Sequence, residues 1–178
     1  MQPTPVHYSS RLRELGFVSP SDRISYVDLG EWRQGGQFFV ARMVVGVVNG
    51  EGQKERAYWL KCPHDFWCDL NDVVYRRVRI ANQLREAGCN IPRTEWFEPS
   101  TMIQEEVVGR KVPSDRDMPE WAVGPLRREK GLYERAGLRY MDGIGDNFII
   151  DDQGRAWCID LDFNEIKNPA KENAASPI

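Results

Sequence analysis

The chain has 178 residues, 41% of them hydrophobic and 29% charged, with a net charge of −3 at pH 7. That length and balance suit one soluble domain, or two small lobes sharing a core, and exclude the broad basic field that a nucleic-acid partner or an anionic membrane would select. No apolar run reaches the roughly 18 residues of a membrane span, and the N-terminus MQPTPVHYSSRLRELGF lacks the apolar stretch of a secretory signal, so a cytoplasmic setting is expected.

In chain order, residues 10–16 (SRLRELG) read as a short helix stopped by Gly16, and 24–32 (ISYVDLGEW) as a strand. Arg33-Gln34-Gly35-Gly36 reads as a turn, and 37–48 (QFFVARMVVGVV) as a long strand rich in β-branched and aromatic residues. Asn49-Gly50 is a hairpin signal, after which 56–62 (RAYWLKC) pairs back to complete a three-stranded antiparallel meander. Across residues 69–87, Val73, Val74, Val78, Ala81 and Leu84 recur at near-helical spacing, with Gly88 as the stop. RTEWFEP and TMIQEEVVG add two strands, which brings the sheet to about five. A loop over 113–120 leads to a helix over 121–138, interrupted at Gly124-Pro125. Strands at 148–150 and 156–160, joined by a turn at 151–154, form a last hairpin before the polar tail NPAKENAASPI. Strands followed by helices indicate an α+β fold. The four cysteines include no CxxC pair, and the Cys62, His64, Cys68 spacing fits no common zinc module, so buried thiols are expected.

The segment 140–163, YMDGIGDNFIIDDQGRAWCIDLDF, carries six aspartates around two apolar strands. Asp142 and Asn147 lie on the loop that enters the hairpin, and Asp160 ends its second strand. Antiparallel pairing therefore brings all three to one edge. Hard oxygen donors of this kind suit Mg²⁺, and a carboxylate left off the metal can orient a hydroxyl nucleophile. Asp146, Asp151 and Asp152 read as exposed turn chemistry.

Tyr140-Met141-Asp142 followed five residues later by Asn147 resembles the catalytic loop H-R-D-x-x-x-x-N of the protein-kinase-like superfamily, and Ile159-Asp160-Leu161-Asp162 resembles the metal-binding D-F-G in the form common in aminoglycoside phosphotransferases. The resemblance implies a bilobal fold: an N-lobe over about 1–108 with a sheet of about five strands and one helix, a reduced C-lobe over 109–165, and a flexible tail over 166–178. It implies Asp142 as the base and Asn147 and Asp160 as Mg²⁺ ligands. Lys61, in Ala57-Tyr58-Trp59-Leu60-Lys61, stands where V-A-I-K supplies the lysine for ATP phosphates. Backbone groups near Glu105, Glu106 and Val107 would bond adenine, and Gly35 and Gly36 would cover the phosphates. The activity implied is transfer of the γ-phosphate of ATP, with Mg²⁺, to a hydroxyl of a small molecule or a protein side chain.

The departures from the pattern define the alternative, a pseudokinase-like module that binds nucleotide or protein with weak or no transfer. Tyr140 and Met141 replace His and Arg, and Ile144 replaces the Lys or His two residues after the loop aspartate. The glycine loop is irregular. Arg77 falls where helix C carries a glutamate, with Asp72 or Asp69 as substitutes. The chain ends soon after Asp162, without the usual C-lobe helices, so a protein partner or a second copy completing that lobe is expected. No nucleic-acid or membrane partner is.

Overall fold

Twelve residue pairs, from Phe38↔Pro63 at the open end to Asn49↔Gly52 at the turn, join β3 (Phe38–Asn49) to β4 (Gly52–Pro63) and form the spine of the structure. β3 alternates: Ala41, Met43, Val45 and Val47 are buried on one face, while Arg42 on the other is exposed. Such alternation marks a strand whose two faces see different surroundings. The turn is two residues long, Gly50 and Glu51, and Asn49 flanks it, accepting the Glu51 N–H on its side-chain oxygen at 2.9 Å. Gly52, at φ +114°, supplies the backbone conformation closed to other residues.

A computed structural model describes residues 5–35, 38–63, 70–98, 100–113, 118–142 and 146–165. Gly36, His64, Cys68, Asp69, Ile144, the tail and part of the expected 113–120 loop lie outside those residues. The described chain is α+β, and it divides into two compact units. The first comprises 1–82 and 92–106, the second 83–91 and 107–178.

The first unit is a six-stranded antiparallel sheet in the order β1-β3-β4-β6-β5, with β2 (Arg33–Gln34) paired to β3. Here β1 is Arg23–Leu29, β5 is Thr94–Glu98 and β6 is Thr101–Glu105. One face buries Met43, Val45, Val47, Tyr58, Leu60, Phe97 and Ile103 against Tyr8 and Leu12 of α1 (Pro5–Glu14) and against Phe17 and Val18. Each such side chain contributes about 1.5–3 kcal/mol on burial. On the other face Phe38 and Met102 pack with Val74 of α2 (Leu70–Glu86), flanked by Val40, Val73 and Val78. The valine periodicity read from the sequence is this contact. Gly88, at φ +82°, follows the end of α2.

The second unit contains α3 (Glu120–Arg135) and five short strands. β9 (Phe148–Ile150) pairs with β10 (Ala156–Cys158) on one side and β7 (Arg110–Lys111) on the other, while β8 (Leu138–Tyr140) pairs with β11 (Phe163–Glu165). No helix among the described residues is long and apolar enough to cross a membrane.

Four expectations are corrected. Arg33-Gln34 is a strand on β3 as well as the start of a turn. α1 begins earlier, at Pro5. β7, β8 and β11 were not foreseen. α3 is not interrupted at Gly124-Pro125: it runs through Pro125, and Ala122, Leu126, Glu129 and Tyr133 form one buried stripe at helical spacing. A proline inside a helix costs about 3 kcal/mol, and burial of that stripe outweighs it.

Candidate active site

The two small sheets of the second unit deliver three chain segments to one place. Tyr140 pairs with Phe163, and one residue on, the Met141 N–H donates to the Asp162 carbonyl at 2.9 Å. On the hairpin, Phe148 pairs with Cys158, and the Ile159 N–H donates to the Asn147 carbonyl at 2.9 Å. Asp142 and Asp160 are therefore each one residue beyond a fixed backbone bond, and Asn147 is itself the acceptor in one. Asn147 Nδ2 donates to Asp142 Oδ2 at 3.1 Å, so amide and carboxylate are already oriented toward each other. The entry to β9 is held as well: the Asp146 N–H donates to the Val112 carbonyl and the Val112 N–H to the Phe148 carbonyl, both at 2.9 Å. Asp146 takes a left-handed conformation at φ +63°, which aspartate tolerates better than most residues.

Tyr140 forms the floor of this cluster. Its ring lies edge-on to Phe148 at 5.2 Å and to Phe163 at 5.1 Å, and Phe163 meets Tyr133 of α3 at 4.9 Å. Burial first, then Cys158 and the Asp160 and Asp142 carboxylates, push the Tyr140 phenol above its ordinary range. Asp142 is exposed, while Asp160 and Asp162 are half-buried.

Behind the cluster sits a residue that the sequence reading did not single out. Glu129 of α3 is only 2% exposed, yet it carries a carboxyl group. It accepts the Asn90 backbone N–H at 2.6 Å and the Asn90 Nδ2–H at 2.8 Å. Burial raises its pKa and the Asn90 bonds oppose the rise. A signal was present: Glu129 interrupts the apolar stripe Ala122, Leu126, Tyr133 at a position where a solvated acid has no place.

The remaining expected residues belong to the first unit or to the strand leading out of it. Lys61, near the end of β4, is in register with Val40 on one side and Met102 on the other. Residues opposite one another share a face, so Lys61 lies on the side of the sheet that carries α2. Gly35 donates its N–H to the Phe38 carbonyl at 2.7 Å and turns the chain from β2 into β3. The Glu105 and Glu106 N–H groups are already committed to the Arg93 and Ala57 carbonyls, at 2.9 and 3.0 Å. The Glu106 carboxylate takes a two-pronged bond from Arg42, 2.7 Å on each arm. Arg77 is buried, its guanidinium 5.6 Å from the centre of the Phe38 ring. Asp72 stands in the first turn of α2 and is exposed.

Asp151 corrects the reading of the hairpin turn. Asp152 is exposed as expected, but the Asp151 side chain is only 7% exposed. It accepts Trp157 Nε1–H at 2.8 Å, Arg155 Nε–H at 2.7 Å, and the N–H groups of Gln153 and Arg155 at 3.0 and 2.9 Å. Asp151 is thus the internal brace of the turn.

The donor set fits a hard cation. It consists of carboxylates and an amide, without thiol or imidazole. Among the described residues no three His, Cys, Asp or Glu side chains gather into a metal-binding group of their own. Carboxylate and amide oxygens suit Mg²⁺, which is commonly held by one or two side chains plus phosphate oxygens and water. Among the described residues, Cys62, Cys89 and Cys158 form no disulfide.

Among solved structures, the Rio2 kinase-ADP/Mg²⁺-phosphoaspartate complex from Chaetomium thermophilum superposes on 93% of this chain with a TM-score of 0.55 at 14% identity. The fold is protein-kinase-like. Among curated proteins, the 3-deoxy-D-manno-octulosonic acid kinase of Vibrio cholerae is 28% identical over 102 residues, covering 49% of this chain and 43% of that enzyme. The chain spans about half the length of the relatives it matches, 43% of the one and 55% of the other. No protein-family profile matches it.

Proposed function

We propose that the protein is an ATP- and Mg²⁺-dependent phosphotransferase acting on a hydroxyl acceptor. The observation that carries this reading is the grouping of Asp142, Asn147 and Asp160 by backbone bonds, in a kinase-like fold. Asp142 orients the acceptor hydroxyl and takes its proton as the new P–O bond forms and the bond from the γ-phosphorus to the β-phosphate bridging oxygen breaks, releasing ADP. Asn147 and Asp160 hold Mg²⁺, which neutralises phosphate charge when bound. Lys61 contacts the phosphates, and Gly35 and Gly36 cover them. With the Glu105 and Glu106 amides already bonded, adenine recognition falls to carbonyls of that segment and to Val107. Most of the rate comes from positioning and charge stabilisation. The likeness to a kinase acting on a sugar acid favours a sugar-like hydroxyl as acceptor over a protein side chain.

A second reading, a nucleotide-binding module without efficient transfer, is favoured by one observation: buried Arg77 occupies the α2 position where kinases carry the glutamate that pairs with the lysine. Labelled ATP with Mg²⁺, offered with 3-deoxy-D-manno-octulosonic acid, related sugar acids and a cell lysate, separates the two. Transfer that disappears in Asp142→Asn and Asp160→Ala supports the enzyme. Label transfer that survives Asp160→Ala sinks the metal assignment, and nucleotide binding without transfer to any acceptor favours the second reading.

A further inference from the structure

Glu129 is a buried carboxylate with no part in the chemistry above, and its bonds lead toward that chemistry. Both of its oxygens are taken by Asn90, one by the backbone N–H at 2.6 Å and one by the side-chain amide at 2.8 Å. The Asn90 carbonyl in turn accepts the Cys158 N–H at 3.2 Å. Cys158 is fully buried, and its Sγ–H donates to the Asp160 carbonyl at 2.8 Å. The next residue, Ile159, donates to the Asn147 carbonyl, and the Asn147 side chain donates to Asp142. A continuous line of bonds runs from the inner face of α3, through the loop after α2, to all three residues of the cluster.

A carboxylate is a costly choice for the interior of a helix packed on aromatic rings. A leucine would fill the stripe of Ala122, Leu126 and Tyr133 without that cost. What Glu129 provides and leucine lacks is a pair of acceptors in fixed geometry, which hold Asn90 in one orientation by charge-assisted bonds. Its consequence lies one bond further on, at the backbone that sets where Asp160 points.

We propose that Glu129 is a positioning residue for the metal site, acting through Asn90 and the Cys158 backbone to fix Asp160. The proposal rests on the reading of Asp160 as a Mg²⁺ ligand. Partners bonded directly to a ligand typically contribute 10–100-fold in metal affinity, and Glu129, which reaches Asp160 through Asn90 and Cys158, falls at the low end of that range.

The test uses the full chain and two readouts besides transfer: the Mg²⁺ concentration at half-maximal enhancement of ADP binding, and amide hydrogen exchange at Cys158. Glu129→Leu raises the Mg²⁺ midpoint by about tenfold and speeds exchange at Cys158, while ADP affinity without metal stays near wild type. Glu129→Gln keeps an oxygen for the Asn90 N–H but turns an N–H₂ toward the Asn90 amide, and recovers part of both effects. Asn90→Ala removes the side-chain bond alone, leaves the backbone links, and shifts the midpoint by an intermediate amount. It also stands in should Glu129→Leu fail to fold. Unmoved midpoints in Asn90→Ala and in every folded Glu129 variant, beside a wild-type chain that shows the Mg²⁺ enhancement, overturn the positioning role alone. Equal losses of ADP affinity with and without metal overturn it too, because they mark general loosening. A wild-type chain with no Mg²⁺ enhancement overturns the metal reading of Asp160 and the proposal with it.

Discussion

At the scale of single residues, the second unit uses carboxylates as scaffolding. Asp151 shows the difference in its titration. Burial alone would raise its pKa. The bonds from Trp157, from the Arg155 backbone and side chain, and from Gln153 more than reverse that, and bring it from the ordinary 3.8 down to about 2. A group whose folded pKa is depressed adds stability above its unfolded pKa and loses that stability as pH falls through the folded value. Asp151→Asn keeps one oxygen for the backbone donors but turns an N–H₂ toward the Trp157 and Arg155 donors. It should therefore cost about 1–2 kcal/mol at pH 7, with the gap to wild type closing between pH about 4 and about 2. Urea unfolding at several pH values measures this, and a gap independent of pH would contradict the assignment. Cys89 makes the opposite case. Burial, reinforced by Glu129, pushes its thiol up to about 12, so it holds little thiolate at neutral pH. Iodoacetamide at pH 8 should leave Cys89 unmodified in the folded chain and label it once urea unfolds the protein, as mass spectrometry would record.

At the scale of elements, the sites that hold the cluster in place are close backbone approaches. Gly109 precedes β7, and a Cβ there would stand 2.4 Å from the Ile150 carbonyl oxygen and 2.7 Å from an Ile149 methyl. Gly109→Ala must push β7 off β9 and should cost about 1–3 kcal/mol. Gly50→Ala, where an added Cβ meets nothing within 4 Å, should change stability by less than about 0.5 kcal/mol. Equal urea midpoints for the two variants would show that β7 contributes nothing. The same approaches explain what the sequence concealed. β3, β4 and α2 are long enough for their period to show, and Asn49-Gly50 and Gly88 punctuate them. β7, β8 and β11 have two or three residues each, too few to display a period of two, and their partners are distant in sequence: Arg110 pairs with Ile150, and Leu138 with Glu165. Pro125 misled because a local rule was applied where a buried stripe decides. For the cluster, the spacing of Asp142, Asn147 and Asp160 was legible because it is tied to one hairpin. Glu129 and Asn90 were not, because 39 residues separate them and only folding makes them neighbours.

At the scale of the whole molecule, nucleotide and metal binding should appear as stability, because a ligand that binds only the folded chain stabilises it by mass action. At a concentration 100 times its dissociation constant, a ligand adds about 2.7 kcal/mol. For a chain of this size that corresponds to a rise in Tm of about 5–10 °C. The two candidate functions agree on this rise, so its size cannot separate them, but its dependence on metal tests the assignment of individual residues. If Asn147 and Asp160 hold Mg²⁺ against the phosphates, ATP with Mg²⁺ should raise Tm more than ATP with EDTA, and Asp160→Ala should erase that increment while keeping the metal-free shift. Lys61→Met should lower both shifts, because a lysine on the phosphates acts whether or not metal is present. Asp142→Asn should keep both, since a residue that orients the acceptor makes little difference to nucleotide affinity. Four proteins and two buffers thus yield a pattern in which each residue fails differently. An Asp160→Ala chain that retains the full Mg²⁺ increment would remove the metal from that residue, whatever the transfer assays show.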